Sequence, residues 1–125
     1  MSIKRVLIVD DSRTIRMVIR QMLESHGVAV DEVENGVRAI DFCRSQGPPD
    51  AILLDVNMPE MDGLTCLRAI RQDPALQACP IVMCTTQVDM DHIAEAVAAG
   101  ANEYVMKPFT EDILFDKLRQ IGLFE

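Results

Sequence analysis

The stretch Ala51-Ile52-Leu53-Leu54-Asp55-Val56-Asn57-Met58-Pro59-Glu60-Met61-Asp62-Gly63 decides the fold. Four apolar residues without polar alternation end abruptly in an acid, as a strand buried on both faces does when it reaches the edge of its sheet. A turn with proline and glycine follows, and Leu64, Leu67 and Ile70 then recur at helical spacing before Pro74. Four further apolar runs behave alike, at residues 5–9, 28–33, 80–85 and 103–106, each leading into a segment of helical period. Ile15, Val18, Ile19, Met22 and Leu23 form one apolar stripe, with Ser12 as N-cap and Gly27 beyond its end. Asn35-Gly36 opens a helix carrying Val37, Ile40 and Cys43, which Gly47-Pro48-Pro49 closes. The helix expected at residues 91–99 has only Ile93 and Val97 as large apolar residues, so it should be weakly held. Thr110 caps the last helix, with Leu114, Leu118 and Ile121 on one face. Strands separated by helices run parallel, so the chain is expected to be an α/β protein with a five-stranded sheet covered on both faces.

The chain has 125 residues, enough for one domain, expected to span 1–125. Hydrophobic residues make up 49% and charged residues 26%, which excludes a mainly disordered chain. A net charge of −8 argues against nucleic-acid or anionic-membrane partners. No apolar run approaches the ~20 residues of a membrane span, and the start lacks a signal h-region, so a cytoplasmic location is expected. Cys43, Cys66, Cys79 and Cys84 form no C-x-x-C pair, and Cys43, Cys66 and Cys84 lie in apolar segments, as small hydrophobes do.

In an open parallel sheet, ligands bind beyond the carboxyl ends of the strands. There the runs end in Asp10-Asp11, Asp55, Thr85 and Lys107. Each has an ordinary explanation: an acid pair at a helix start, a turn residue, a cap, a loop lysine before proline. Together they describe a site. Clustered carboxylates repel unless one is protonated or a cation joins them, and an open site of hard oxygens suits Mg²⁺. With Asp10, Asp11, Asp55 and Lys107 all ionised, a divalent cation makes the site neutral.

These residues, with Gly100-Ala101-Asn102-Glu103-Tyr104-Val105-Met106-Lys107-Pro108-Phe109, resemble the signatures of the receiver domains of two-component response regulators, in order and spacing over the whole chain. The resemblance implies a doubly wound, flavodoxin-like (βα)5 fold with strand order 2-1-3-4-5 and a cis Lys107–Pro108 bond. It implies that Asp55 accepts a phosphoryl group from a sensor histidine kinase or phosphotransfer protein. Asp11, Asp55 and the Asn57 backbone carbonyl would hold Mg²⁺ directly, and Asp10 through water. Lys107 and Thr85 would bind phosphoryl oxygens, and Tyr104 would turn inward as Thr85 moves. Asn57 and Gln87 occupy the rim positions that tune phosphate lifetime. Thr86 stands where the family often has alanine and adds bulk beside the pocket. The absence of an output domain resembles the single-domain chemotaxis-type branch: a monomeric switch, not an enzyme, with Mg²⁺-dependent self-phosphotransfer and slow autodephosphorylation. Its effector protein would bind the face built from helix 91–99, strand 103–106 and helix 110–121. A single-domain phosphorelay shuttle or cell-cycle adaptor is the alternative. A Mg²⁺-dependent phosphohydrolase fits less well, because it usually needs Asp-x-Asp where this chain has Asp10-Asp11-Ser12. A flavin carrier would need a Ser/Thr/Gly-rich phosphate loop in place of the acid pair.

Overall fold

Five backbone runs form one parallel sheet in the computed structural model, which describes residues 3–58, 60–86 and 93–124. The elements are β1 (Arg5–Val9), α1 (Arg13–Glu24), β2 (Ala29–Val33), α2 (Gly36–Gln46), β3 (Ala51–Asp55), α3 (Gly63–Gln72), β4 (Ile81–Thr85), α4 (Ile93–Ala98), β5 (Glu103–Met106) and α5 (Glu111–Gln120). The strand order is β2-β1-β3-β4-β5, so β1 and β3 are neighbours and the order reverses between them. This is the doubly wound order expected from the resemblance.

The central strands β3 and β4 are buried along their whole length. Successive side chains point to opposite faces, so one uninterrupted apolar run feeds two cores. Leu7, Val9, Ile52, Leu54, Ile81 and Met83 pack with Ile40, Leu67, Ile70 and Ala96 of α2, α3 and α4. Val6, Ile8, Leu53, Val82, Cys84 and Val105 pack with Ile19, Leu23, Leu114 and Leu118 of α1 and α5.

The helix starts are fixed by side chains that accept from backbone N–H groups three residues on. Ser12, Asn35, Asp62 and Thr110 bond Ile15, Arg38, Thr65 and Ile113, removing one unpaired donor from each helix start. Glu111 and Asp112 in the first turn of α5 and Lys117 and Arg119 in its last turn complement the helix dipole. Gly27 and Gly47 both have positive φ where the chain leaves α1 and α2.

Three expected core residues lie outside. Val18, Val37 and Val97 are exposed, because Ile19 and Leu23, Ile40 and Cys43, and Ile93 and Ala96 already fill the sheet-facing sides of their helices. The second strand starts at Ala29, not residue 28, and the fourth at Ile81. Pro80 has no N–H for a ladder, although its carbonyl accepts from Ile52. In the fourth helix, Ile93–Ala98 lies within the described residues, whereas positions 91 and 92 do not. All four cysteines are free and buried, and burial pushes Cys43 up to about 11 and Cys66, Cys79 and Cys84 up to about 12. Their thiols are protonated and unreactive at neutral pH.

Candidate functional site

The carboxyl ends of β1, β3 and β4 and the loop after β5 meet at one edge of the sheet. Carboxylate oxygens of Asp10, Asp11 and Asp55 lie within 4.8 Å of one another. Asp10 is 2% exposed, Asp55 6% and Thr85 1%, whereas Asp11 faces solvent. Such burial of polar groups requires partners. The Lys107 ammonium supplies them, with Nζ 2.8 Å from Asp10 Oδ2 and 3.2 Å from Asp55 Oδ1. The Lys107 backbone N–H donates to the Thr85 carbonyl, and the Lys107–Pro108 peptide is cis.

Asp10 and Asp55 are also held by their own loops. The Ser12 N–H donates to Asp10 Oδ1 at 2.9 Å, and the Asn57 N–H to Asp55 Oδ1 at 3.4 Å. Behind Asp55 the start of α3 comes unusually close. A Cβ on Gly63 would lie 2.2 Å from the Asp55 carbonyl oxygen and 2.9 Å from Val56 Cα, so only glycine fits here. The Gly63 N–H donates to the Val56 carbonyl at 2.9 Å and closes the turn.

Burial raises the Asp55 carboxyl from 3.8 to about 6, and the neighbouring Asp10 charge adds to the rise, while Lys107 and the Asn57 N–H oppose it. For Lys107, burial pulls the pKa down, but the bonds and charges of Asp10 and Asp55 outweigh it and leave the pKa raised. The ammonium is therefore charged at neutral pH. Three carboxylates against one ammonium leave an excess of two negative charges, all on hard oxygens at a solvent-open edge. That donor set fits a divalent hard cation such as Mg²⁺.

Thr85 Oγ1 donates to the Thr86 carbonyl at 3.2 Å. Tyr104 is half-buried against the core beneath α2, α3 and α4, with Lys117 Nζ 5.2 Å from its ring centre. Met83 pairs with Tyr104 and Thr85 with Met106 across β4 and β5. Alternation therefore puts Thr85 and Tyr104 on the same sheet face, one pair apart. Gln87 lies outside the described residues, and Asn57 is exposed at the rim. The structure thus brings Asp10, Asp11, Asp55 and Lys107 together, with Thr85 at the adjoining strand end.

Reading the sequence alone misses two residues at this edge. Gly63 is recognisable there only as a turn glycine, and Arg16, whose guanidinium reaches the Asp10 carbonyl at 2.6 Å, looks like any polar helix residue.

The model of the response regulator receiver domain matches residues 6–119. The chain is 40% identical over 118 residues to chemotaxis protein CheY of Pseudomonas aeruginosa, covering 94% of each chain. It is 36% identical over 117 residues to chemotaxis protein CheY of Bacillus subtilis, covering 93% of this chain and 95% of the relative. Among solved structures it resembles chemotaxis protein CheY4 of Vibrio cholerae, with a TM-score of 0.88, 32% identity and coverage of 96% and 99%. It also resembles the receiver domain of a Pseudomonas aeruginosa sensor histidine kinase that carries a magnesium ion in its active site cleft, with a TM-score of 0.85, 31% identity and coverage of 97% and 99%. Among the described residues no helix is long and apolar enough to cross a membrane. Fold, acidic edge and sequence agree: this chain belongs to the response regulator receiver domains of two-component signalling.

Proposed function

We propose that the chain is a chemotaxis-type phosphorylation switch in which Asp55 takes a phosphoryl group from a histidine kinase or phosphotransfer protein. The observation that carries this reading is the Lys107 ammonium bridging Asp10 and Asp55 beside the open carboxylate of Asp11. An Asp55 oxygen attacks phosphorus, the bond from phosphorus to the donor imidazole nitrogen breaks, and the electron pair stays on that nitrogen. Asp10, Asp11, Asp55 and the Asn57 carbonyl would hold Mg²⁺, whose charge would offset that of the phosphoryl oxygens. Lys107 orients one oxygen and Thr85 another, so the chain contributes positioning and charge.

The output follows from the same bonds. Phosphorylation replaces one negative charge on Asp55 with about two. Lys107 is drawn to the new oxygens, and Thr85 exchanges its bond to the Thr86 carbonyl for one to phosphate. Tyr104, on the same sheet face, turns into the space left behind, and α4 follows because, among its described residues, only Ile93 and Ala96 are buried. The face of α4, β5 and α5 then binds an effector protein. Asn57, Thr86 and Gln87 set how readily water reaches the acyl phosphate, and the chain loses it slowly by itself, as a cytoplasmic, monomeric signalling protein and not an enzyme with a turnover substrate. Beryllofluoride stands in for the phosphoryl group in an amide-shift titration. Shifts extending from residues 10–12, 55–58 and 85–86 to Tyr104 and α4 are expected, and shifts confined to the first three groups would sink the switch.

A further inference from the structure

Outside the acidic edge, a connected chain of charges runs along the surface of α1 and β2. Arg16 Nη1 donates to the Asp10 carbonyl at 2.6 Å, and Arg16 Nε to Glu32 Oε1 at 3.0 Å. Arg20 bonds the other Glu32 oxygen and donates from Nη2 to the Val30 carbonyl at 3.0 Å. Arg20 also pairs with Glu24 at 3.4 Å. The Arg16 and Glu32 side chains are only 14% and 22% exposed, so this pair is held more firmly than a surface ion pair.

We propose that Arg16 is a positioning residue for the metal and phosphoacceptor site. The inference rests on the metal-binding reading of Asp10, Asp11 and Asp55 given above. The carbonyl that Arg16 grips belongs to the peptide joining Asp10 to Asp11. The Asp10 side of that joint is fixed by its N–H, which donates to the Val33 carbonyl at 3.3 Å, and by its carboxylate, held by Ser12 and Lys107. The plane of the next peptide sets where Asp11 points, and Asp11 is the exposed member of the cluster. Arg16 fixes that plane. Its planar fork reaches two acceptors at once, the carbonyl and Glu32, and Glu32, itself on β2, has its side chain steadied in turn by Arg20, which also grips the Val30 carbonyl. The site thereby takes its geometry from the edge strand as well as from the loop.

Charge and geometry predict opposite outcomes when Arg16 is replaced. Removing a cation near an acidic cluster strengthens cation binding if Arg16 acts only through its field. Releasing the peptide plane weakens it. The experiment is a Mg²⁺ titration followed by amide shifts on the full chain, for the wild type and for Arg16→Met, Arg16→Lys and Glu32→Gln, with urea unfolding to confirm that each is folded. Arg16→Met should raise the Mg²⁺ dissociation constant about tenfold, the scale found when a partner orienting a metal ligand is lost. Arg16→Lys should not restore it, because one ammonium cannot span both acceptors. Glu32→Gln, which leaves Arg16 in place but loosens its tether, should raise it less. Phosphorylation by acetyl phosphate should slow in Arg16→Met at low Mg²⁺ and recover at saturation. Tighter or unchanged Mg²⁺ binding in Arg16→Met, or full rescue by lysine, overturns the proposal while leaving the site reading intact. A wild-type chain whose shifts do not respond to Mg²⁺ overturns both.

Discussion

Replacing the proposed phosphoacceptor by its amide, Asp55→Asn, should make the metal-free protein more stable at neutral pH. Burial, together with the charge of Asp10, holds the folded carboxyl near 6, against 3.8 in its ordinary state. The gap is a little over two units, and at about 1.4 kcal/mol per unit the ionised form costs the fold about 3 kcal/mol. The sign follows from the order of ionisation. Well below pH 3.8 the group is protonated in both states and no penalty exists. As pH rises from 3.8 the unfolded chain ionises first, so stability falls until the folded carboxyl ionises near 6, and the penalty is constant above that. Asparagine keeps an acceptor for Lys107 and the Asn57 N–H, and Lys107 keeps Asp10 at 2.8 Å. The variant should therefore gain about 2–3 kcal/mol over wild type at pH 7, and almost nothing at about pH 3. Urea unfolding of both proteins in chelator, from about pH 3 to pH 8, measures the difference directly. A variant less stable than wild type at pH 7, or a difference that does not change with pH, would refute the reasoning.

Gly63→Ala should cost about 3 kcal/mol, because its Cβ would meet the Asp55 carbonyl and Val56 Cα and neither backbone atom can yield cheaply. Near wild-type stability in urea would show that α3 sits farther from Asp55 than described. Arg71→Met should lose about 2–3 kcal/mol, since its guanidinium donates to the carbonyls of Gly100, Gln77 and Cys79 and to Asn102 Oδ1. The exposed pair of Arg44 with Asp73 gives the comparison, with Arg44→Met expected to change stability by less than about 1 kcal/mol. Mg²⁺ at a hundred times its dissociation constant should stabilise the wild type by about 2.7 kcal/mol. In Asp11→Asn a far smaller rise in melting temperature is expected, and an equal rise would place the cation elsewhere.

Local chemistry carries far in this sequence. The apolar run into Asp55, the caps Ser12, Asn35 and Thr110, and the stops at Gly27 and Gly47 are all visible in short stretches, because each acts within a turn or two of itself. Strand order is not of that kind. The pairing of β1 with β3, Val6 with Ala51 through Val9 with Leu54, joins segments far apart in the sequence, and only the resemblance implies it. Nor does periodicity say which apolar residue of a wide stripe faces the sheet, so Val18, Val37 and Val97 read as core and lie outside. At the site, Asp10, Asp11, Asp55, Thr85 and Lys107 are legible because all stand at strand ends. Arg16 and Gly63 are not, since each acts on a backbone carbonyl, and a carbonyl leaves no mark in a sequence. Arg71 is hidden for the same reason: three of its four partners are main-chain oxygens.

The central claim is that Asp55 carries the phosphoryl group, and intact-mass spectrometry after incubation with acetyl phosphate tests it most directly. One labile adduct with the mass of a phosphoryl group should form only when Mg²⁺ is present. Borohydride reduction followed by peptide mapping should locate it at Asp55, and Asp55→Asn should show none. An adduct that persists in Asp55→Asn, or that maps to another residue, would contradict the account.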